Sequence, residues 1–183
     1  MNFILEGPDN AGKTTLANFL RDHVRCATYF HPGGKPDGFE AETRCMEQQL
    51  DKLIEHQSLI LDRCTPVSQM VYNSAIMHDD DRMGMAQEFR KFATFVYCRP
   101  STDRLLRVQD LTWRDDETDE HKEKIITRQH EFVSRYDKVM ALIPCITYDY
   151  DSPLCSAVPD MMVRALQDDQ SAIAWFHKLI NWR

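Results

Sequence analysis

No apolar run in the chain approaches the roughly 20 residues needed to cross a bilayer, so no membrane-spanning segment is expected. The opening MNFILEGPDN lacks the basic head and small-residue cleavage site of a secretion signal. The expected location is therefore cytoplasmic, or the host cytoplasm for a viral protein. Six cysteines (Cys26, Cys45, Cys64, Cys98, Cys145, Cys155) form no CxxC pair, and the seven histidines gather in no ligand cluster. Neither a disulfide framework nor a zinc site follows from such scatter; the cysteines read as small core residues. A cationic excess is also missing. Against 22 Lys and Arg stand 29 Asp and Glu, a formal charge of −7, which disfavours a surface built to grip nucleic-acid backbone but leaves room for a local basic pocket. No repeat or low-complexity linker divides the 183 residues, which suits a single domain spanning 1–183.

What is present is an alternation of short apolar runs and amphipathic stretches. Asn2–Glu6 reads as a buried strand stopped by Gly7, and Leu16, Phe19, Leu20 and Val24 mark one face of the following helix. Strands are expected at Cys26–Phe30, Ser58–Leu61, Phe92–Cys98 and Cys145–Tyr150. Helices are expected over Gly38–His56, Pro66–Met77, Arg82–Lys91, from an N-cap at Ser101 through Val108, up to Met140, over Pro153–Gln167, and in the tail 171–182. The tail face is formed by Ile173, Phe176, Leu179 and Ile180, and its Trp175 and Trp182 suit packing on the sheet or a homodimer contact. The charge-dense segment 109–124 reads as a mobile lid. Such alternation implies βαβ units, hence a mostly parallel five-stranded sheet in a three-layer α/β/α domain with a helical lid. Ligands of such sheets bind beyond the carboxyl ends of the strands, where Gly7, His31, Asp62, Arg99, Asp149 and Asp151 fall.

The residues Gly7-Pro8-Asp9-Asn10-Ala11-Gly12-Lys13-Thr14 fit G-x-x-x-x-G-K-[ST] without a mismatch. The glycines let successive N–H groups curl into an anion-sized nest, and the helix behind adds its positive end. Lys13 is placed for the β- and γ-phosphates and the Thr14 hydroxyl for Mg²⁺. A chance match in a chain of this length is on the order of one per cent at ordinary glycine usage. A nucleoside triphosphate site, the P-loop NTPase fold and Mg²⁺ with ATP as donor are the resulting expectations.

The wider string Glu6 to Thr15 resembles the E-G-x-D-x-A-G-K-T-T loop of thymidylate kinases, with Asp9 its distinctive letter. His31-Pro32-Gly33-Gly34-Lys35-Pro36 is similar to that family's R-E-P-G-G-T loop, and Ser58 to Arg63 to its apolar strand ending in Asp-Arg. Ser68-Gln69-Met70-Val71-Tyr72 resembles the S-x-x-A-Y stretch beyond. The resemblance implies that Asp9 faces the acceptor's sugar or phosphate, that Asp62 organises Mg²⁺ through water and that Arg63 holds the acceptor phosphate. It implies further that Gln69 contacts the base and Tyr72 walls the sugar, although Met70, Val71 and Tyr72 equally read as a core stripe. Arg44 and Phe39 are candidates for the base pocket, and 148–152 resembles the loop near the adenine. The cation that meets the transferring phosphoryl is sought among Arg107, Arg114, Arg104 and Arg99, since Asn10 stands where some family members carry Arg.

The chain departs from the pattern with His31 for an acidic residue, Lys35 for Thr, Asn73 for Gln and one extra residue between Arg63 and Ser68. The expected activity is Mg-ATP-dependent phosphorylation of a thymidylate-like deoxynucleoside monophosphate. The alternative, motivated by those departures, is a kinase similar to this family that phosphorylates 5-hydroxymethyluracil within DNA. A regulatory ATPase is the third reading; a GTPase is disfavoured because no N-K-x-D motif occurs.

Overall fold

The computed structural model describes residues 1–32, 36, 38–72, 78–105 and 118–181. Five strands form one sheet in the order β2-β3-β1-β4-β5, and every adjacent pair is parallel. They are β1 Asn2–Glu6, β2 Thr28–Phe30, β3 Leu59–Asp62, β4 Ala93–Cys98 and β5 Cys145–Tyr148. The chain builds β2 and β3 on one side of β1 and then crosses to β4 on the other, so the order reverses beside the carboxyl end of β1.

The helices are α1 Lys13–His23, α2 Phe39–Glu55, α3 Thr65–Tyr72, α4 Asp79–Phe89, α5 Thr102–Leu105, α6 Asp119–Met140, α7 Ala157–Leu166 and α8 Gln170–Asn181. Strand alternation sorts them into two layers. Ile4, Leu59, Leu61, Phe95 and Tyr97 pack against α2, α3, α4 and α6 through Met46, Val67, Phe89, Phe132 and Tyr136. Phe3, Leu5, Ile60, Val96 and Ile146 pack against α1, α7 and α8 through Leu16, Leu20, Met162 and Phe176. Asn2 ties the layers at the amino edge: its amide donates to Leu53 O and His56 O, and its oxygen accepts from Leu59 N at 2.9 Å.

Several boundaries differ from the sequence reading. The expected lid 109–124 is overtaken at its end by α6, which begins at Asp119; residues 106–117 lie outside the described residues. Pro153–Cys155 forms a separate 3-10 turn before α7; Pro159, which has no N–H to donate to Cys155 O, then falls in the first turn of α7 and not inside one longer helix. Ser101 does cap α5, its Oγ accepting from Arg104 N at 3.3 Å. In α8 the inward residues are Ala172 and Phe176 with Ile173, Trp175 and Ile180 beside them, whereas Leu179 is 40% exposed. Trp182 is outside the described residues. Among the described residues no helix is long and apolar enough to cross a membrane.

Candidate active site

The segment between β1 and α1 has the backbone that an anion nest requires. Gly7 has φ +147° and Gly12 φ +80°, and Asn10, a residue tolerant of left-handed backbone, has φ +62°. A Cβ on Gly7 would lie 2.3 Å from the Cys98 carbonyl, and one on Gly12 would lie 2.8 Å from the Tyr150 ring. Pro8 O accepts from Ala11 N, and Gly12 O accepts from Leu16 N as the helix opens. Thr14 and Thr15 are exposed at this helix start, and Ala11 is buried beneath it. Lys13 is folded back over the loop, donating to Gly7 O at 2.8 Å and Pro8 O at 2.6 Å. Burial first, and the nearby Arg63 guanidinium second, push its ammonium down to about 8, with Asp9 and Asp62 pulling the other way.

Beside the loop stands a second cluster centred on Arg63. Its backbone takes φ +72°, an uncommon state for a side chain of this size, and is pinned by Arg63 N donating to Leu5 O at 2.9 Å. The next amide, Cys64 N, donates to Glu6 Oε1 at 2.6 Å. The guanidinium pairs with Asp9 and donates to Tyr72 OH at 2.8 Å and Tyr136 OH at 2.9 Å. Tyr72 OH donates to Asp9 Oδ2 at 3.3 Å, and Tyr136 OH to Glu6 Oε2 at 3.4 Å. Burial works against the Arg63 charge, but the two phenols and Asp9 more than offset it, holding the guanidinium protonated. Burial chiefly pushes the Tyr72 phenol up to about 12 and raises the Glu6 carboxyl, which the Cys64 amide and Arg63 counteract. Of the residues expected to meet the acceptor, the structure thus brings Asp9, Arg63 and Tyr72 together.

Asp62, the last residue of β3, is 4% exposed. Its Oδ2 accepts from Tyr29 OH at 2.8 Å, while the buried Oδ1 has no partner among the described residues. Gln69 is 5% exposed on α3, and among the described residues neither its Oε1 nor Ser68 Oγ has a partner. Such orphaned buried acceptors are rare in folded proteins. Gln129 on α6 donates to Asp9 O at 3.0 Å and Leu105 O at 3.4 Å, tethering the loop to the start of the lid region. Among the described residues no group of three His, Cys, Asp or Glu could hold a metal ion by itself.

Other candidates are placed elsewhere. Arg44 lies on the exposed face of α2, its Nε donating to Glu40 O, and Phe39 is 54% exposed at the same helix's start. Neither contacts the cluster in the described structure; the inward face of α2 carries Glu42, Met46, Gln49 and Leu53 instead. Arg99 pairs with Asp137 through bonds of 2.7 and 3.0 Å and donates to Pro100 O, which braces the β4 end. Arg104 reaches toward Tyr150 OH and Asp151. Arg107, Arg114, Lys35 and Asn73 are outside the described residues. Sequence reasoning missed Tyr136, Tyr29 and Gln129. Tyr136 shares a face with Phe132, Val133 and Met140, so only its apolar role was visible in the spacing.

No family model matches the chain, and no curated protein matches it by sequence. Solved structures do resemble it. The YorR protein of Bacillus subtilis, solved with phosphorylated GDP, has a TM-score of 0.61 at 20% identity, covering 97% of this chain and 98% of that one. Deoxyadenosine kinase from M. mycoides with bound dATP has a TM-score of 0.50 at 14% identity, covering 93% and 100%. The likeness runs the length of each, and the chain shares their α/β fold, five parallel strands packed between two layers of helices.

Proposed function

We propose that the protein is an Mg-ATP-dependent phosphotransferase acting on a deoxynucleoside-type acceptor. The observation that carries this reading is the adjacency of two sites: Lys13 in a phosphate loop, and Arg63 bound to that loop's own Asp9, close enough to depress the Lys13 ammonium. A nucleotide switch or regulatory ATPase has no need of the second site. Residues 7–15 would hold the triphosphate of ATP, the backbone N–H groups and the α1 end facing its charge. Lys13 would exchange its two loop carbonyls for the β- and γ-phosphate oxygens.

The donor set suits Mg²⁺, a hard cation that is held by few protein oxygens together with substrate phosphates. Thr14 is the protein ligand assigned to it; the carboxylate of Asp62 is left to contact through water. When bound, the ion would supply positive charge that offsets that of the phosphates. Arg63 would stabilise charge on the transferring group, with Arg107 or Arg114 of the lid region as the further cation. Gln69, whose amide oxygen has no partner among the described residues, is the proposed base contact and Tyr72 the wall beside the sugar. Arg44 would need a change in α2 to take part.

The acceptor implied by the resemblance is thymidylate-like, and 5-hydroxymethyluracil in DNA is the second reading. The resembling deoxyadenosine kinase supports an acceptor of nucleoside size, and the −7 charge weighs against a DNA polymer. Titration calorimetry with ATP, with and without Mg²⁺, tests the donor half. Micromolar-range binding that K13A abolishes and T14A weakens only when Mg²⁺ is present is expected; binding indifferent to both variants would refute it. A homodimer is a further proposal, testable by sedimentation.

A further inference from the structure

Resting on the phosphotransferase reading, we infer that Tyr136 is a positioning residue: its hydroxyl, strung between Glu6 and Arg63, turns the guanidinium so that the Nε–Nη2 edge is the one left for a phosphate group. A guanidinium carries five N–H donors in one plane. The two on Nη1 go to Tyr72 OH at 2.8 Å and Tyr136 OH at 2.9 Å. One on Nη2 goes to Asp9 Oδ1, and the other oxygen of that carboxylate takes the Tyr72 hydrogen at 3.3 Å. Asp9 and Tyr72 thus share the end of the guanidinium between Nη1 and Nη2, and Tyr136 takes the flank beside Cδ. Among the described residues nothing meets Nε–H or the second Nη2 hydrogen. These two hydrogens point the same way and form the fork that grips a pair of oxygens. Arg99 closes the same fork on Asp137, through Nε at 2.7 Å and Nη2 at 3.0 Å. Arg63, with 17% of its side chain exposed, keeps it for a ligand.

Tyr136 is itself firmly placed. It is fully buried, its ring stacked on Tyr97 with centroids 6.3 Å apart and meeting Tyr72 edge-on at 6.1 Å. The phenol oxygen accepts from Arg63 Nη1 and donates its one hydrogen to Glu6 Oε2 at 3.4 Å. Glu6 is also fully buried, and its Oε1 takes the Cys64 amide at 2.6 Å. The ring of contacts therefore closes: Glu6 holds the backbone just after Arg63 and, through Tyr136, the Arg63 side chain. Seven residues earlier, two turns along the same face of α6, Gln129 holds Asp9 O at 3.0 Å. One helix thus orients both the arginine and the loop residue paired with it. A phosphate arriving at the open edge leaves the three existing contacts in place, so the donors need no reorientation when charge develops. That phosphate is either the acceptor's own or the transferring γ-phosphate, which offer the same oxygens.

Nitrogen-15 labelling of the arginines lets the Nε–H of Arg63 be followed by NMR, its signal identified by its loss in Arg63→Lys. The signal is expected to shift when a phosphate ligand is added. A shift with Mg-ATP alone assigns the edge to the γ-phosphate; a shift with deoxynucleoside 5′-monophosphates alone assigns it to the acceptor. In Tyr136→Phe the ligand concentration at half-shift should rise about tenfold, the worth of one hydrogen bond to a charged group. A signal indifferent to both ligands would overturn the inference and leave the kinase reading standing.

Transfer of γ-label from Mg-ATP to deoxynucleosides and their monophosphates supplies the second readout. Tyr136→Phe keeps the ring and its packing on Tyr97 and removes only the hydroxyl. It should lower kcat/KM about tenfold in the wild-type background. In the Arg63→Lys background the same change should cost less than about twofold, because the fork it orients is gone. Equal losses in the two backgrounds would mark a merely structural tyrosine and overturn the assignment. Wild type that labels no acceptor would bring down the kinase reading itself, while the Arg63 signal still decides which edge binds phosphate.

Discussion

Lys13 is held folded back on its own loop, a state that the proposed binding of ATP must undo, and the linkage can be worked through. Folding buries the ammonium to 7% exposure and lowers it from an ordinary 10.5 to about 8. Below pH 8 both folded and unfolded chains carry the proton, and the folded state bears the full penalty of about 3 kcal/mol, taking 1.36 kcal/mol per unit. Between pH 8 and 10.5 the unfolded chain binds more protons, so stability rises with pH until the penalty is gone. Between pH 7 and 9 the linkage relation gives a rise of about 1 kcal/mol. The Cys98 thiol, pushed by burial from 9.0 up to about 12, acts in the opposite sense, but chiefly above pH 9. Urea unfolding of the wild type and of Lys13→Met at both pH values isolates the lysine. The wild type should gain about 1 kcal/mol relative to the variant. Parallel stability curves for the two proteins would refute the buried, loop-bound lysine. The same shift requires ATP binding near pH 8.5 to take up protons, since phosphates raise the ammonium again; calorimetry in buffers of different ionisation enthalpy reads that uptake directly.

Gly7→Ala should lose several kcal/mol of stability or fail to fold, because its Cβ meets backbone at φ +147°, whereas Gly12→Ala meets only the Tyr150 ring and should lose less; thermal melts rank them. Arg82 on α4 and Glu42 on α2 form an ion pair in which each residue is 1% exposed. Replacing Glu42 by Gln or Arg82 by Met should destabilise by about 3–5 kcal/mol, with E42L/R82M recovering much of it in a double-mutant cycle. Arg63→Lys removes the fork that joins Asp9, Tyr72 and Tyr136 and should lower kcat about 100-fold, with far less effect on ATP binding measured by calorimetry.

The loop proposed to hold the donor was legible in the sequence because its residues are contiguous. Gly7 to Thr14 lie between β1 and α1 with no other segment needed to state the nest, and the β1 bounds agree with the apolar run. The sheet followed from alternation for the same reason, each strand being a local apolar run. The acceptor half depends on distant pairings. Asp9 meets Arg63 across 54 residues, and Arg63 meets Tyr136 across 73. No local spacing announces that a tyrosine in the apolar stripe of α6 ends on an arginine after β3. Arg99 is a further case: its place after a strand was legible, but its pairing with Asp137, 38 residues on, was not. His31 was visible as a departure from the resembled loop; its contact with the Asp62 carbonyl, 31 residues on, was not.

The central claim is phosphoryl transfer from the loop to an acceptor held beside Arg63. The most direct test is transfer of γ-label from Mg-ATP to a mixed set of deoxynucleosides and deoxynucleoside monophosphates, by the wild type and by Lys13→Ala side by side. Label on an organic acceptor, reduced at least about 100-fold in the variant, is the predicted result. Release of label to water alone, or transfer that survives the loss of Lys13, would contradict it.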